Sequence, residues 1–187
     1  MNRNNKLYIM TISALLCSIG ILIPIISPIK ITLEPASFTL ASHVATFIAM
    51  FISPLVAVFV AIGTTLGFFL AGFPLVVVAR AASHLVFAYV GSLILKKHIN
   101  IINTVKSSLL YSLGIGILHG ICEVIVVLPF YFGNSMNPLY YDKGFIVSVV
   151  LLVGAGTVIH SMVDFYLAQV IWKYSSRAIK IKSLANN

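Results

Sequence analysis

Charged residues are scarce in this sequence, and acidic residues are the scarcest. Asp and Glu occur four times and Lys and Arg twelve times in 187 residues, so charged residues make up 9% of the chain. A soluble domain usually carries about 25% charged residues. With a mean hydropathy of +1.07, the surface of such a domain would be too apolar to stay in water. The composition therefore excludes soluble enzymes and predicts an integral membrane protein whose backbone polar groups pair within helices.

Cysteines and enzyme motifs are also few. The two cysteines, Cys17 and Cys122, lie in apolar stretches, where a thiol usually acts as a small buried side chain. The sequence contains no HExxH zinc motif, no GxSxG nucleophile elbow and no phosphate-binding P-loop. We therefore expect no catalytic residues, no ATPase activity, no cofactor and no bound metal.

Long apolar segments define the predicted fold. A membrane-spanning helix needs about 20 mostly apolar residues, and proline, glycine and charged residues divide the chain into six such segments. We predict an all-α integral membrane protein, a single domain over 1–187 built as a bundle of six transmembrane helices. The predicted helices cover approximately residues 7–29, 39–53, 54–71, 74–95, 107–132 and 144–173.

The basic residues indicate how this bundle is oriented. Nine Lys and Arg residues fall on one side of the predicted topology and two, Lys30 and Lys143, on the other. Since cytoplasmic loops carry the excess of basic residues, we expect both termini in the cytoplasm and a multi-pass protein of the cell membrane. The positive charge is then a topology signal and not a nucleic-acid surface. Arg80 remains as the one cation far inside an apolar segment.

Ionisable residues inside the predicted helices occur in pairs with a spacing of four. This spacing places both members of a pair on one helix face. Ionisable groups in a bilayer are costly, so each is a candidate functional residue. The pairs are Arg80 with His84, His119 with Glu123, and His160 with Asp164.

These residues allow two interpretations. The guanidinium of Arg80 matches a carboxylate bidentately, so it can bind an anionic ligand, or it can form an ion pair with Glu123 that ties two helices together. Both hold if a ligand displaces part of the pair. His84 and His119 either bind ligand or link helices. The deeper pair, His160 and Asp164, is more consistent with a structural role.

Aromatic residues in the predicted outer loops also have two explanations. Phe38, Tyr140 and Tyr141 can stack on a flat ring, or they can form the aromatic belt found at membrane interfaces. His43 follows a polar stretch at the outer end of the second predicted helix, and we interpret it as an interfacial histidine.

The first predicted helix carries small residues on one face. Ala14 and Ser18 lie one helical turn apart, and such a small-xxx-small face lets another helix approach closely. The face suits a partner subunit, and packing within the same bundle is the alternative.

Four stretches carry a resemblance to a known family over nearly the whole chain. They are Ala14-Leu-Leu-Cys-Ser18, Phe51-Ile-Ser-Pro54, Leu33-Glu-Pro-Ala-Ser-Phe-Thr-Leu-Ala-Ser-His43 and Gly154-Ala-Gly-Thr-Val-Ile-His-Ser-Met-Val-Asp164. The chain resembles the substrate-binding S components of energy-coupling factor (ECF) vitamin transporters. The last two stretches look most like the niacin-specific members. Ser18 departs from the alanine that the family often has there.

The resemblance implies a high-affinity binding subunit that takes a vitamin from outside the cell. It implies transport together with a transmembrane T component and two ATPase subunits, in contact with membrane lipid. Nicotinate fits this expectation because its carboxylate can pair with the guanidinium of Arg80 and its small flat ring can pack between aromatic side chains. Residues in regions comparable to the family's vitamin site are Arg80, His84, His119, Glu123, Tyr140 and Tyr141.

Other functions remain open from the sequence. An S component for another vitamin, of the pantothenate or pyridoxine type, would satisfy the same charge or ring arguments. His84, His119 and His160 could in principle supply haem ligands on separate helices, as in a membrane redox protein. A small autonomous channel or carrier is the third alternative.

Overall fold

The chain folds as a helical bundle with one short hairpin in this computed structural model, which describes residues 3–33 and 36–178. The first part contains α1 (Arg3–Ile26), β1 (Lys30–Leu33), β2 (Ala36–Thr39), α2 (Val44–Ile52) and α3 (Pro54–Leu70). The second part contains α4 (Leu75–Lys97), a 3₁₀ helix (Ile99–Asn103), α5 (Val105–Phe132), the single-turn α6 (Leu139–Asp142), a π-helix (Ile146–Ala155) and α7 (Gly156–Ala178).

Several helices have the length and composition of membrane spans. Within the described ranges, four stretches qualify, namely Asn5–Ile26, Leu75–Lys97, Val105–Phe132 and Ile146–Ser176, while α3 is a shorter apolar helix. Large apolar side chains such as Leu22, Leu66 and Ile121 are exposed on their outer faces, as contact with lipid requires. The structure therefore fits an all-α membrane protein. Six crossings and cytoplasmic termini stay predictions.

The segment between the first two helices differs from the expected loop. It forms an antiparallel hairpin in which Lys30 pairs with Thr39 and Leu33 pairs with Ala36. Pairing satisfies backbone groups that a loop against an apolar surface would leave without partners. As a result α2 begins at Val44 instead of near residue 39.

The hairpin packs on the last long helical segment. That segment begins as the π-helix and continues as α7 from Gly156. A Cβ atom at Gly156 would lie 2.6 Å from Cζ of Phe38, and the Phe38 ring centroid lies 5.4 Å from that of His160. The missing side chain of Gly156 thus makes room for the aromatic residue of β2.

Aromatic packing defines one end of the bundle. The ring centroid of Phe165 lies 5.3 Å from that of Phe47 and 5.6 Å from that of Phe51, and Trp172 packs 5.8 Å from Phe51. All of these except Trp172 are buried to 3% exposure or less. This apolar core joins α2 to α7, and Asp164 lies one residue before Phe165, toward the hairpin turn that it binds.

A close seam joins α1 to α3. Cβ atoms at Gly63 and Gly67 would overlap the side chains of Cys17 and Ile21 respectively, and a Cβ at Gly20 would overlap that of Thr64. Glycine at these positions lets the backbones of the two helices approach each other closely. The seam places α1 beside the cavity described next.

Candidate functional site

A cavity of about 260 Å³ lies under the hairpin. α1, β2, α2, α3, α4, α5 and α7, together with the turn before α2, contribute to its wall. Its apolar side is formed by residues such as Phe38, Phe68, Phe73 and Val77. A mostly apolar wall with a few orienting polar groups is typical of small-molecule sites. The ionisable members of the wall are His43, Arg80, His84, Glu123 and His160.

Half-buried Arg80 and buried Glu123 form an ion pair between α4 and α5. Nη2 of Arg80 donates to Oε2 of Glu123 at 2.8 Å, and the hydroxyl of Thr157 donates to the same oxygen at 2.5 Å. Glu123 is 2% exposed. Nε of Arg80 is buried without a hydrogen-bond partner among the described residues. The guanidinium is therefore held in place by one acid.

Two imidazoles approach the other oxygen of this carboxylate. Nε2 of His84 lies 3.5 Å and Nε2 of His119 lies 3.4 Å from Oε1 of Glu123. Neither contact has hydrogen-bond geometry, and both Nε2 atoms are buried without a hydrogen-bond partner in the described part of the chain. Nδ1 of His119 is 3.3 Å from the hydroxyl of Ser161. The two rings thus direct unused nitrogens toward one oxygen atom.

Asp164 anchors the turn that leads from the hairpin into α2. Its carboxylate accepts the backbone N–H groups of Ala41 and His43, each at 2.8 Å, and lies 3.1 Å from Nδ1 of His43. Nε2 of His160 is 3.3 Å away. Ala41 has φ of +68°, a conformation that costs a non-glycine residue about 1–2 kcal/mol. The buried acid compensates for this strain.

The interfacial interpretation of His43 was wrong. His43 is 9% exposed, and its ring centroid lies 4.8 Å from those of both His84 and His119 and 5.0 Å from that of His160. The turn carries it inward because Asp164 binds the neighbouring backbone. His43 is the functional candidate that sequence reasoning missed, and the polar stretch Ser42-His43 before an apolar helix was its only local signal.

The predicted site residues are partly brought together. Phe38, Arg80, His84 and Glu123 line the cavity, and His119 contacts Glu123 from behind it. Thr157, which the sequence did not indicate, also lines the cavity and holds Glu123. These residues give the cavity both a cation and an aromatic face.

The two predicted tyrosines lie outside the cavity wall. Tyr140 packs near Val127 and Val149, and burial raises the pKa of its phenol, although Arg80 opposes the shift. The phenol is therefore neutral at physiological pH. The hydroxyl of Tyr141 donates to the carbonyl of Phe130 at 3.4 Å. These contacts place both tyrosines in the loop after α5.

The small-residue face of α1 points away from the bundle. Ala14 and Ser18 are both exposed, and the Ser18 hydroxyl donates to the Ala14 carbonyl at 2.9 Å. With its hydroxyl satisfied within the helix, Ser18 presents a compact surface. The face is thus available outside the described bundle.

Comparisons with known proteins identify the family. No profile of a known protein family matches the chain, and no solved structure matches it. The chain is 38% identical over 170 residues to the niacin transporter NiaX of Lactococcus lactis subsp. cremoris (strain MG1363), covering 91% of this chain and 75% of that protein. Together with the apolar helices, this identity shows a multi-pass protein of the cell membrane. The chain belongs to the family of niacin-type substrate-binding S components of ECF vitamin transporters.

Proposed function

We propose that this chain is the high-affinity subunit that binds niacin, as nicotinate, from the extracellular side for an ECF-type importer. The observation that carries the proposal is Arg80, a half-buried cation in the wall of a cavity of about 260 Å³. A carboxylate is the group that this guanidinium matches best. The similarity to a niacin transporter supports the same ligand.

The rest of the cavity suits a small flat ring. Phe38 lines it from the hairpin, and Phe68 and Phe73, whose ring centroids are 4.8 Å apart, line it as well. A pyridine ring can pack on these faces while its carboxylate reaches Arg80. His84, His119 and Glu123 complete the polar end of the proposed site, and Tyr140 and Tyr141 lie in the loop after α5, outside the cavity wall.

The histidine geometry disfavours the haem alternative. The ring centroids of His84 and His119 are 4.8 Å apart, which leaves no room for a porphyrin plane between them. His43 lies at the same distance from each ring. His43, His84 and His119 therefore form one compact cluster and not two facing axial ligands.

Calorimetric titration of the detergent-purified protein with nicotinate tests the proposed ligand. We expect tight one-to-one binding of nicotinate, and weaker binding of nicotinamide because it lacks the charge that Arg80 recognises. Pantothenate and pyridoxine serve as controls for other vitamins. Preferred binding of either control would contradict niacin as the ligand and would still agree with a vitamin-binding S component. Absence of binding heat with all four compounds would contradict the binding function.

Transport should depend on partners that dock on α1. We propose that the T component contacts Ala14 and Ser18, since this small-residue face is exposed, and that two ATPase subunits supply the energy. The protein reconstituted in vesicles with these partners should accumulate labelled nicotinate only when ATP is present. Accumulation by the chain alone would instead indicate an autonomous carrier.

Ala14→Leu should separate binding from transport. The larger side chain obstructs close helix approach, so we expect uptake to fall about 10-fold or more with unchanged nicotinate binding. Ala82→Leu is the matched control, because Ala82 is an exposed alanine on α4. Equal uptake by the two variants would show that the T component does not dock on this face of α1.

A further inference from the structure

Three imidazoles and one carboxylate converge at the polar end of the cavity. His43, His84, His119 and Glu123 each offer one ligand atom, and these four atoms lie within 4.8 Å of one another. His119 is fully buried and Glu123 is 2% exposed. Nε2 of His84 and Nε2 of His119, the ring nitrogens that lie near Oε1 of Glu123, are buried without a hydrogen-bond partner among the described residues. Such orphaned groups are costly unless something binds them.

The separations match those around a tetrahedral metal ion. With metal–nitrogen and metal–oxygen bonds of about 2.0–2.1 Å, neighbouring ligand atoms of a tetrahedron lie about 3.3–3.4 Å apart. Oε1 of Glu123 lies 3.4 Å from Nε2 of His119 and 3.5 Å from Nε2 of His84. The remaining separations among the four ligand atoms are 4.8 Å or less, and the ring of His43 already borders the other two rings.

Surrounding groups hold the candidate ligands in place. Ser161 contacts Nδ1 of His119 at 3.3 Å, and Asp164 contacts Nδ1 of His43 at 3.1 Å. Oε2 of Glu123 is occupied by Arg80 and Thr157, so Oε1 stays free to ligate. Partners of this kind orient histidines in metal sites.

The buried charges provide the second argument. Counting Arg80 as positive, Glu123 and Asp164 as negative and the imidazoles as neutral gives the cluster one net negative charge. A bound nicotinate would raise this to two negative charges in a buried site, which is strongly unfavourable. A divalent cation would bring the charge of the occupied site to zero.

We propose that a divalent transition-metal ion of the Zn²⁺ or Co²⁺ type binds to His43, His84, His119 and Glu123 and completes the vitamin site. Imidazole and carboxylate ligands suit such ions, whereas Mg²⁺ and Ca²⁺ prefer oxygen ligands. The sequence led us to expect no metal because it contains no HExxH zinc motif. The coupling to nicotinate rests on the proposed function, but metal binding itself does not.

Titration with Co²⁺ alone tests the metal site. Tag-free protein is treated with EDTA, freed of chelator and titrated with Co²⁺, whose visible absorption reports tetrahedral coordination. We expect one equivalent to bind, with bands that Zn²⁺ abolishes. Absence of stoichiometric binding would overturn the inference.

Paired histidine variants locate the ion. His119→Gln and His84→Gln should each weaken Co²⁺ binding at least about 100-fold and remove the tetrahedral bands, since each loses a direct ligand. His98→Gln, at an exposed position after α4, should behave as the unmodified protein. Two ligand variants are used so that one remains if the other fails to fold. Unchanged bands in a folded ligand variant would refute the site.

Nicotinate titrations with and without metal distinguish this inference from the proposed function. Chelation should weaken nicotinate binding about 10-fold or more, and one equivalent of Zn²⁺ should restore it. Equal binding after chelation, with proton uptake measured in buffers of different ionisation enthalpy, would show that protons supply the charge and would overturn the coupling. Stoichiometric Co²⁺ binding without any nicotinate binding would support the metal site and contradict the vitamin function.

Discussion

Arg80→Gln is expected to weaken nicotinate binding about 100-fold or more, because truncating one member of a buried charge pair costs about 2–5 kcal/mol. Uncharged nicotinamide should lose far less. The difference between the two ligands, measured by calorimetry, isolates the carboxylate contact from general damage to the cavity. Equal losses for both ligands would assign Arg80 a structural role only.

A double variant removes the remaining ambiguity. Arg80→Gln leaves Glu123 buried without its cation. Part of the loss of nicotinate binding then comes from this unpaired buried charge. Arg80→Gln combined with Glu123→Gln restores neutrality and should recover thermal stability without recovering nicotinate binding, and Glu123→Gln alone measures the part of the loss that comes from the missing carboxylate. Recovery of binding would mean that Arg80 only neutralises Glu123. Arg80→Lys, which keeps the charge and loses the fork, should fall between the single variant and the unmodified protein.

Asp164→Asn should produce the second large effect. The carboxylate accepts two backbone N–H groups and contacts His43 and His160. An amide has only one oxygen, so its NH₂ group must face a donor. We expect a loss of about 2–4 kcal/mol, seen as a melting temperature lower by roughly 5–10 °C, together with weaker nicotinate binding because the turn carrying His43 is released.

Asp142→Asn is the matched control, since Asp142 is an exposed acid at the end of α6. Melting can be followed through the fluorescence of Trp172, which packs on Phe51 about two helical turns beyond Asp164 in α7. If Asp164→Asn had the same melting temperature as the unmodified protein, the turn would be stable without this carboxylate.

The sequence predicted the helical part of the site because helix periodicity is local. A spacing of four was enough to place Arg80 with His84 on one face and His119 with Glu123 on another, and burial then required the charges to meet. Within the described residues the ion pair between Arg80 and Glu123 is the result. The need to pair charges in an apolar environment supplied the long-range information.

The turn before α2 could not be predicted in the same way. Ala41 adopts a positive φ although alanine gives no turn signal, and its stabilising partner, Asp164, is 123 residues away in the chain. Without that contact His43 had no reason to point inward. Phe38 was placed near the site by its loop, but its packing on Gly156 depends on a hairpin that the sequence did not indicate.

In the seam between α1 and α3, a residue on one helix and the residue facing it on the other compete for the same space. The space occupied by Cys17 is the space that a side chain at position 63 would need, and Ile21 stands in the same relation to position 67. A larger residue on α3 is tolerable only with a smaller one opposite it on α1. Evolution of this helix pair is therefore expected to proceed by reciprocal exchange, so that positions 17 and 63 vary as a unit, as do positions 21 and 67.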